Sequence, residues 1–438
     1  MKPRILIASQ AYLQTIGGTA VYLRRFSEEL ARRGYKVTVL TTASPLNTCE
    51  VNGVNTKEIK TSFADAALNM LKISPLLLRS CNVMISIELG IILLTLSLST
   101  LLGKILKRYE LTVNLAWYLM LIKELFVLQR EFDVIHSYNF LGSGFPSCAV
   151  GRMLRKPVIV DEVMNPLSFY EGLRSRTARL LVKYVTQHAS LIYVGSRKLQ
   201  VILNTFGICD RKITVKRMPI DTNIFKPPDN RDEQKKILHL DGKFVLLHVG
   251  RLLPFKNVES LINAMAVIKD RMLNSVLLIV GGPETRKEFL EQLAEELQVT
   301  DYVRLVGPVA SDEIYKYYQV ADVFVSLSMQ PTFLKNYSHP DAVILEAMAS
   351  GVPVISTPDL QIIGDEELPR VETFKIIKTG IIVNSEDLRN FVDAAAFLYA
   401  HPSLRKDMAE NCRNSVKYGW NEHLDEIIAA YENQKVFA

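Results

Sequence analysis

The sequence predicts an α/β protein with two Rossmann-like domains, each a doubly wound parallel sheet, that face each other across a cleft. Three observations support this prediction. Short apolar runs of strand length alternate with helical segments. The alternation occurs twice, once in each half of the chain. The length of 438 residues also exceeds what one ordinary core requires, so two or three domains are expected.

The first half begins with a short apolar strand, ILIAS, at 5–9. An amphipathic helix follows over 19–33 and ends at Gly34. Further strands are predicted at 37–42, 133–137, 157–162, 191–196 and 213–217. Because strands that alternate with helices pair in parallel, these elements predict an N-terminal domain over residues 1–220.

The second half repeats the pattern after a boundary near Pro219–Pro228. Helices at 257–270 and 286–298 separate strands that are predicted at 244–250, 275–282, 302–308, 323–328, 352–357 and 379–383. These elements predict a C-terminal domain over 221–419. Ligands of such sheets bind at the carboxyl ends of the strands, so a ligand is expected in the cleft.

Residues 61–130 interrupt the alternation with a long apolar stretch. Glu88 is the one charged residue from Ser80 to Gly103, and a basic cluster follows at 104–108. About 20 apolar residues can span a bilayer, but the strands on either side should lie in one sheet. The pattern therefore favours a helix in the membrane interface, with an ordinary buried helix or a spanning hairpin as alternatives.

The net charge of +6 is distributed unevenly along the chain. Residues 1–220 hold 29 Lys and Arg against 14 Asp and Glu, a net charge of +15, whereas the remainder carries −9. A basic half indicates a surface that meets an anionic partner, or a solvated surface without one. We expect an anionic membrane surface, aided by Arg24, Arg25, Arg32 and Arg33 on the first helix, and no nucleic acid, because no nucleic-acid-binding motif is present.

The five cysteines are scattered, and the chain contains neither a CxxC pair nor a DxD triplet. This spacing predicts no metal site and no disulfide framework. The first residues resemble a β-strand rather than a signal peptide. We therefore expect a cytoplasmic protein, peripheral on the cytoplasmic face of the membrane, that needs no cofactor.

Two cations are predicted at the carboxyl edge of the second sheet. The stretch GRLLPFK at 250–256 joins a buried strand to the next helix, which places Arg251 and Lys256 there. Cations in this position can neutralise a diphosphate as it leaves. A pair of solvated loop cations is the alternative.

The stretch 333–358 predicts a helix that begins near Ser338 and ends at Gly351. Ser338 and Asp341 match an S-x-x-D capping box. Unpaired N–H groups in the first turn favour an anion, which makes Ser338, Asp341, Ala342 and Val343 candidate substrate contacts.

The same helix carries Glu346 among apolar neighbours. A buried carboxylate needs a partner, and Glu346 could hold two vicinal hydroxyls, although an exposed helix glutamate is the alternative. A diphosphate joined to a ribose would suit both the helix and its carboxylate.

The first domain offers weaker candidates. Gly17 and Gly18 follow the first strand, where the lack of a side chain lets the backbone approach a phosphate. His136 ends a strand and could hold a substrate hydroxyl, or it could be a satisfied core histidine. Asp161 and Glu162 end the next strand and could meet an acceptor.

Taken together, the motifs resemble those of the retaining glycosyltransferases of family 4, glycosyl transferases group 1, which have the GT-B fold. The resemblance covers nearly the whole chain and rests on GG at 17–18, FDVIH at 132–136, MPIDTNIFKP at 218–227, GRLLPFK at 250–256, VGGPE at 280–284, VRLVGPV at 303–309 and ILEAMASGVPVIS at 344–356.

The resemblance implies a role for each motif. Arg251 and Lys256 would bind the donor diphosphate, and Glu346 would bind the ribose. Residues Arg304, Leu305 and Val306 would hold the base through their backbone. Gly18 would approach the phosphates, His136 would lie near the transferred sugar, and the C-terminal helix within 420–438 would pack back onto the first domain.

The resemblance also implies a transfer from a UDP- or GDP-sugar to a hydroxyl of a lipid-linked or polysaccharide acceptor. Two positions depart from the family pattern, because Ser338 replaces a frequent glutamate and Tyr138 replaces a frequent histidine. These departures leave open an alternative, a catalytically weakened partner subunit that binds nucleotide sugars or glycans.

Overall fold

The computed structural model describes residues 2–10, 12, 18–42, 50–59, 115–162, 176–207, 210–329, 342–357, 374–384 and 387–433. The chain divides into two compact units. The first comprises Met1–Arg217 together with Asn421–Ala438, and the second comprises Met218–Trp420.

The described strands of the first unit form one eight-stranded sheet with the order β3-β4-β2-β1-β5-β6-β7-β8. The strands are β1 (Ile5–Ala8), β2 (Val37–Thr42), β3 (Glu50–Val51), β4 (Val54–Ile59), β5 (Val134–Tyr138), β6 (Val158–Glu162), β7 (Leu191–Val194) and β8 (Ile213–Val215). All neighbouring strands are parallel except the β3–β4 hairpin. Asn52 and Gly53 turn this hairpin with φ angles of 50° and 80°.

Helices cover both faces of this sheet. They are α1 (Gly18–Arg32), α2 (Leu115–Val127), α3 (Phe145–Leu154), α4 (Arg176–His188) and α5 (Arg197–Asn204). A π-helical turn, Asn139–Gly144, joins β5 to α3. Alternate residues of β5 serve the two faces: Ile135 packs with α2 and α3 in the apolar core, whereas His136 faces Phe26 of α1.

The predicted apolar insertion lies mostly outside the described residues, including all of 80–103. Its described part contains α2, whose Trp117, Leu121 and Leu125 are buried in the core of the first unit. This part of the insertion is therefore an ordinary buried helix. Among the helices of the described ranges, none combines the length and the apolar character that crossing a bilayer requires.

The second unit contains a seven-stranded sheet with the order β11-β10-β9-β12-β13-β15-β14 among its described strands. The strands are β9 (Phe244–Val249), β10 (Ser275–Val280), β11 (Val303–Gly307), β12 (Val323–Ser326), β13 (Val354–Ser356), β14 (Lys375–Ile377) and β15 (Gly380–Ile382). Only the β14–β15 pair is antiparallel within this described sheet. Two parallel-sheet α/β units confirm the predicted fold class.

The helices of the second unit are α6 (Arg231–Ile237), α7 (Val258–Arg271), α8 (Lys287–Glu296), α9 (Tyr315–Val320), α10 (Ala342–Ala349), α11 (Leu388–Ala400) and α12 (Pro402–Ser415). They bury the two faces of the sheet in two apolar clusters. The core residues therefore alternate along β9, where Leu246 faces one cluster and Val245 and Leu247 face the other.

The last helix, α13 (Trp420–Glu432), packs against the first unit. Nε2 of His423 lies 2.6 Å from the Tyr22 hydroxyl of α1, and Lys216 pairs with Glu426 at 2.7 Å. Arg33 donates hydrogen bonds to Asp425 and Asn421. These contacts attach the C-terminal helix to α1 and to the segment after β8.

Candidate functional site

Both sheets reverse their strand order at a central strand. In the second unit β9 lies between β10 and β12, so the connections that leave β9 and β12 diverge to opposite faces. Such a switch point leaves a crevice at the carboxyl ends of these two strands. In the first unit β1, between β2 and β5, holds the corresponding position.

The turn after β9 approaches the end of β10 very closely. Gly250 and Gly281 have φ angles of 156° and 144°, and Leu252 N donates a hydrogen bond to Gly282 O at 2.6 Å. A Cβ on Gly281 would lie 1.8 Å from Gly250 O. Glycine is therefore required at 281 if the β9 turn is to lie over the end of β10.

Arg251 and Lys256 both lie in this turn, as predicted. Arg251 is exposed, and Lys256 is partly buried at the end of a 3₁₀ turn, Pro254–Lys256, that leads into α7. Phe255 O accepts a hydrogen bond from Met329 N, which ties the turn to the segment after β12. The two cations therefore share one loop at the crevice.

Helix α10 follows β12 and supplies the third predicted group. Ala342 and Val343 form its first turn and are partly buried. Glu346 lies one turn further on and accepts a hydrogen bond from the Tyr318 hydroxyl at 2.7 Å. Burial raises the pKa of Glu346 to about 7, and the Tyr318 hydrogen bond opposes that rise. Gly17, Ser338 and Asp341 lie outside the described residues.

The side chain of Arg304 points away from this site. Its guanidinium donates hydrogen bonds to Leu238 O at 2.6 Å and to His239 O at 3.2 Å, beside the start of β9. Arg304 is the second residue of β11, so its side chain lies near the edge of the sheet where the parallel strands begin. The predicted contact to the base is made by the backbone, and for Arg304, Leu305 and Val306 it stays a prediction.

His136 is fully buried, which favours the alternative of a core histidine, and its catalytic role stays a prediction. Its Nδ1 lies 2.5 Å from the Tyr431 hydroxyl of α13, and its Nε2 lies 3.7 Å from Asp161. Its ring stacks on Tyr138 at 5.0 Å. His136 therefore packs as a core histidine in this structure, held through Nδ1, whereas its buried Nε2 has no hydrogen-bond partner among the described residues.

Glu162, at the end of β6, is also buried. Its Oε2 accepts a hydrogen bond from Phe140 N at 2.6 Å and so fixes the first residues of the π-helical turn. Burial raises the pKa of Glu162 to about 8. This partner supports a structural role for Glu162 rather than an acceptor contact.

Tyr318 is a polar contact of the site that the sequence analysis missed. It lies in α9 beside two other tyrosines, Tyr315 and Tyr317, and no sequence pattern distinguishes it from them. The signal that was available was indirect, because a partly buried Glu346 requires a hydrogen-bond donor nearby. Within the described ranges, no three His, Cys, Asp or Glu side chains converge as metal ligands do.

Two family models match this chain. The Glycosyl transferase 4-like domain matches residues 17–217, and Glycosyl transferases group 1 matches residues 229–415. A D-inositol 3-phosphate glycosyltransferase of Streptosporangium roseum is 25% identical over 316 residues, 69% of this chain and 69% of the relative.

Two further proteins extend the comparison. A GDP-mannose-dependent alpha-(1-6)-phosphatidylinositol monomannoside mannosyltransferase of Mycobacterium tuberculosis is 32% identical over 180 residues, 41% of this chain and 44% of the relative. The structure of sucrose-phosphate synthase from Thermosynechococcus elongatus matches 100% of both chains with a TM-score of 0.71 and 18% identity, which shows the fold. With two models that together match most of its length, the chain belongs to the group 1 glycosyltransferases, enzymes of the GT-B fold.

Proposed function

We propose that this glycosyltransferase moves a sugar, with retention of anomeric configuration, from a UDP- or GDP-sugar to a hydroxyl of a lipid-linked or polysaccharide acceptor. The observation that supports the proposal is the chain position of three groups that follow the two strands at the switch point of the second sheet. Arg251 and Lys256 follow β9, and α10 with Glu346 follows β12. Cations and helix amides suit a diphosphate, and a carboxylate suits a ribose diol.

The proposed reaction exchanges one bond for another at the anomeric carbon. The bond from this carbon to the diphosphate oxygen breaks, and a bond to the acceptor oxygen forms on the same face. The acceptor proton passes to the departing diphosphate, so no separate protein base is required. Arg251 and Lys256 stabilise the charge that develops on the diphosphate, which is where electrostatic catalysis has its largest effect.

The donor base is the first property to test. The Mycobacterium tuberculosis relative is GDP-mannose-dependent by name, which supports a GDP-sugar, and the UDP-sugar is the competing donor. A thermal-shift comparison of the chain with GDP, UDP, ADP and CDP should show the largest rise in Tm for the base of the true donor. Equal shifts for all four nucleotides, or none, would count against the proposed site.

A test of the stereochemistry requires a glycosylated product. The chain is incubated with the preferred nucleotide sugar and a membrane lipid extract, and nucleotide release and glycan formation are followed together. Proton NMR of the product should show the same anomeric configuration as the donor. An inverted product would reject the retaining mechanism, and hydrolysis of the donor without transfer would reject the proposed class of acceptor.

We also propose peripheral association with an anionic membrane. The predicted contribution of α1 is weakened, because Arg24 pairs with Glu28, Arg32 with Glu29, and Arg33 with Asp425. Helix α4 is the better-supported surface: its outer face exposes Arg176, Arg179 and Lys183, and Leu180 is 60% exposed between them. An exposed apolar side chain among cations suits an interface with acidic lipid.

Binding to lipid vesicles distinguishes the contributions of α1 and α4 to membrane association. Arg179→Gln with Lys183→Gln should weaken flotation on phosphatidylglycerol vesicles, whereas Arg24→Gln with Arg32→Gln removes the same charge and should have less effect. Binding should fall with salt and should be absent on phosphatidylcholine. Equal effects of the two double variants would reject α4 as the membrane surface.

A further inference from the structure

The hydrogen bond between Tyr318 and Glu346 joins α9 to α10 inside the second unit. Tyr318 has no exposed surface, and aromatic neighbours hold its ring. The Phe225 ring lies 5.7 Å away at 80°, and the Phe324 ring lies 6.1 Å away at 32°. A buried ring between two others has little freedom, so its hydroxyl has a fixed position.

Phe225 belongs to the motif MPIDTNIFKP, which the proposed function leaves unexplained. Arg413 of α12 holds this motif by donating hydrogen bonds to Phe225 O at 2.9 Å and Thr222 O at 2.9 Å. The same guanidinium also donates to Ala349 O, at the last residue of α10, at 2.8 Å. The motif, the ring of Tyr318 and the end of α10 are therefore held relative to one another.

We propose that Tyr318 is a positioning residue that orients the Glu346 carboxylate for the ribose hydroxyls of the donor. The inference rests on the proposed function and assigns to Tyr318 a role in nucleotide affinity rather than in the bond exchange. Phe225 and Arg413 support it by holding the tyrosine ring and the helix that carries Glu346.

The geometry explains why a tyrosine is useful here. A glutamate side chain has three rotatable bonds, and its carboxylate can turn freely unless one oxygen is held. Tyr318 binds Oε2, which leaves Oε1 and the remaining lone pair of Oε2 for two neighbouring hydroxyls. The entropy of fixing the Glu346 side chain is therefore lost on folding, before the nucleotide binds, and the affinity for the nucleotide is higher as a result.

The test uses the affinity of the full chain for GDP and UDP, measured by titration calorimetry. Tyr318→Phe removes the hydroxyl and keeps the ring between Phe225 and Phe324. We expect about fivefold weaker binding of the preferred nucleotide, and a higher KM for the donor with a smaller change in kcat. Tyr317→Phe is the matched control, because it removes a partly buried hydroxyl from the same helix.

A double variant separates positioning from a general structural effect. Glu346→Gln should weaken nucleotide binding, and Tyr318→Phe should add nothing further in that background, since its effect passes through Glu346. The affinity ratio of GDP to 2′-deoxy-GDP, or UDP to 2′-deoxy-UDP, should shrink toward one in both single variants. A loss that is unchanged in the Glu346→Gln background would overturn the inference.

The inference and the proposed function fail differently. If the wild type binds nucleotide and Glu346→Gln weakens it while Tyr318→Phe does not, the inference alone is rejected. If the wild type binds neither GDP nor UDP, the proposed donor is rejected and the inference with it. Weakening by Tyr317→Phe to the same extent would also reject a specific role for Tyr318.

Discussion

The Tyr431 hydroxyl of α13 lies 2.5 Å from Nδ1 of His136 in β5, although 295 positions separate the two residues. Both side chains are buried. This contact joins the C-terminal helix to the central part of the first sheet, and it makes His136 part of the structure of that unit.

Tyr431→Phe should therefore destabilise the first unit. The variant keeps the ring but leaves a buried imidazole nitrogen without its partner, which costs about 1–3 kcal/mol. Hydrogen exchange should become faster at the amides of β5 and α13 and should stay unchanged in β9 and β10. Tyr399→Phe, at a residue that is 37% exposed in the second unit, serves as the control. Unchanged protection of β5 would contradict the assignment of His136.

Arg251→Ala and Lys256→Ala should reduce kcat and leave the fold intact. Both residues lie in a loop at the crevice, and loss of a charge-stabilising donor costs roughly 10²- to 10³-fold in rate. Steady-state kinetics with the preferred donor measures the effect, and the Tm reports on the fold. Lys236→Ala removes an exposed lysine of the same unit and should leave kcat unchanged. Near-normal turnover in either test variant would remove that residue from the proposed mechanism.

Gly18→Ala should separate stability from activity. No atom of the described residues lies within 4 Å of a Cβ at this position, so the free energy of unfolding should change by less than about 0.5 kcal/mol. If a donor phosphate approaches the backbone at Gly18, as the family resemblance implies, the added methyl group should raise the KM for the donor. Kinetics and urea unfolding on the same preparation test this, and an unchanged KM would argue against a phosphate there.

Glu162 should make the stability of the first unit depend on pH. Burial raises the pKa of Glu162 to about 8, and the nearby Asp161 adds to this, whereas the Phe140 N–H opposes it. The folded chain therefore keeps a proton that the unfolded chain releases near pH 4.5, and the free energy of unfolding falls as pH rises between about 4.5 and 8.

Glu162→Gln should remove this fall, because glutamine can still accept the Phe140 hydrogen bond and does not titrate. Urea unfolding at several pH values would show the variant gaining stability over the wild type toward pH 8. Glu131→Gln, at an exposed residue of the same unit, should follow the wild type. Parallel curves for Glu162→Gln and the wild type would contradict the raised pKa.

Nucleotide affinity should rise with pH through the ionisation of Glu346. Its pKa is raised to about 7, and the carboxylate formed above that pH accepts hydroxyl hydrogen bonds more strongly than the acid. Tyr318 is the neighbour that lowers this pKa, so Tyr318→Phe should move the midpoint upward. Calorimetry of the wild type and of Glu346→Gln isolates the contribution of Glu346 to the pH dependence of affinity. The ionisation of the nucleotide's own diphosphate affects both of these proteins equally. A midpoint unchanged by Tyr318→Phe would count against this coupling.

The sequence predicted the strands well because buried parallel strands are short continuous apolar runs. Phe244–Val249 and Val37–Thr42 both lie within one residue of the predicted bounds. The β3–β4 hairpin was missed, since β4 alternates buried and exposed residues and does not form an apolar run. The Asn52–Gly53 turn was the available signal, as this dipeptide favours the positive φ angles of a tight hairpin.

The site was only partly predictable, for a different reason. Arg251 and Lys256 lie within seven residues of the end of β9, so chain order alone brings them to the carboxyl edge of the sheet. Glu346 lies 20 residues after β12, and only the predicted helix pattern made it a candidate. Chain order does not tell which face of a strand is covered, and His136 lies under α13, which comes nearly 300 residues later. Tyr318 meets Glu346 only through the packing of α9 on α10, a contact that no local pattern encodes.

Because α13 completes the first unit, a ribosome has translated nearly the whole second unit before the cover for Tyr22, Phe26 and His136 emerges. The nascent first unit therefore exposes an aromatic surface until α13 is synthesised and covers it. A fragment that stops at residue 217 would keep this surface exposed and should aggregate. Fusing residues 418–433 to the fragment through a flexible linker should restore a soluble unit.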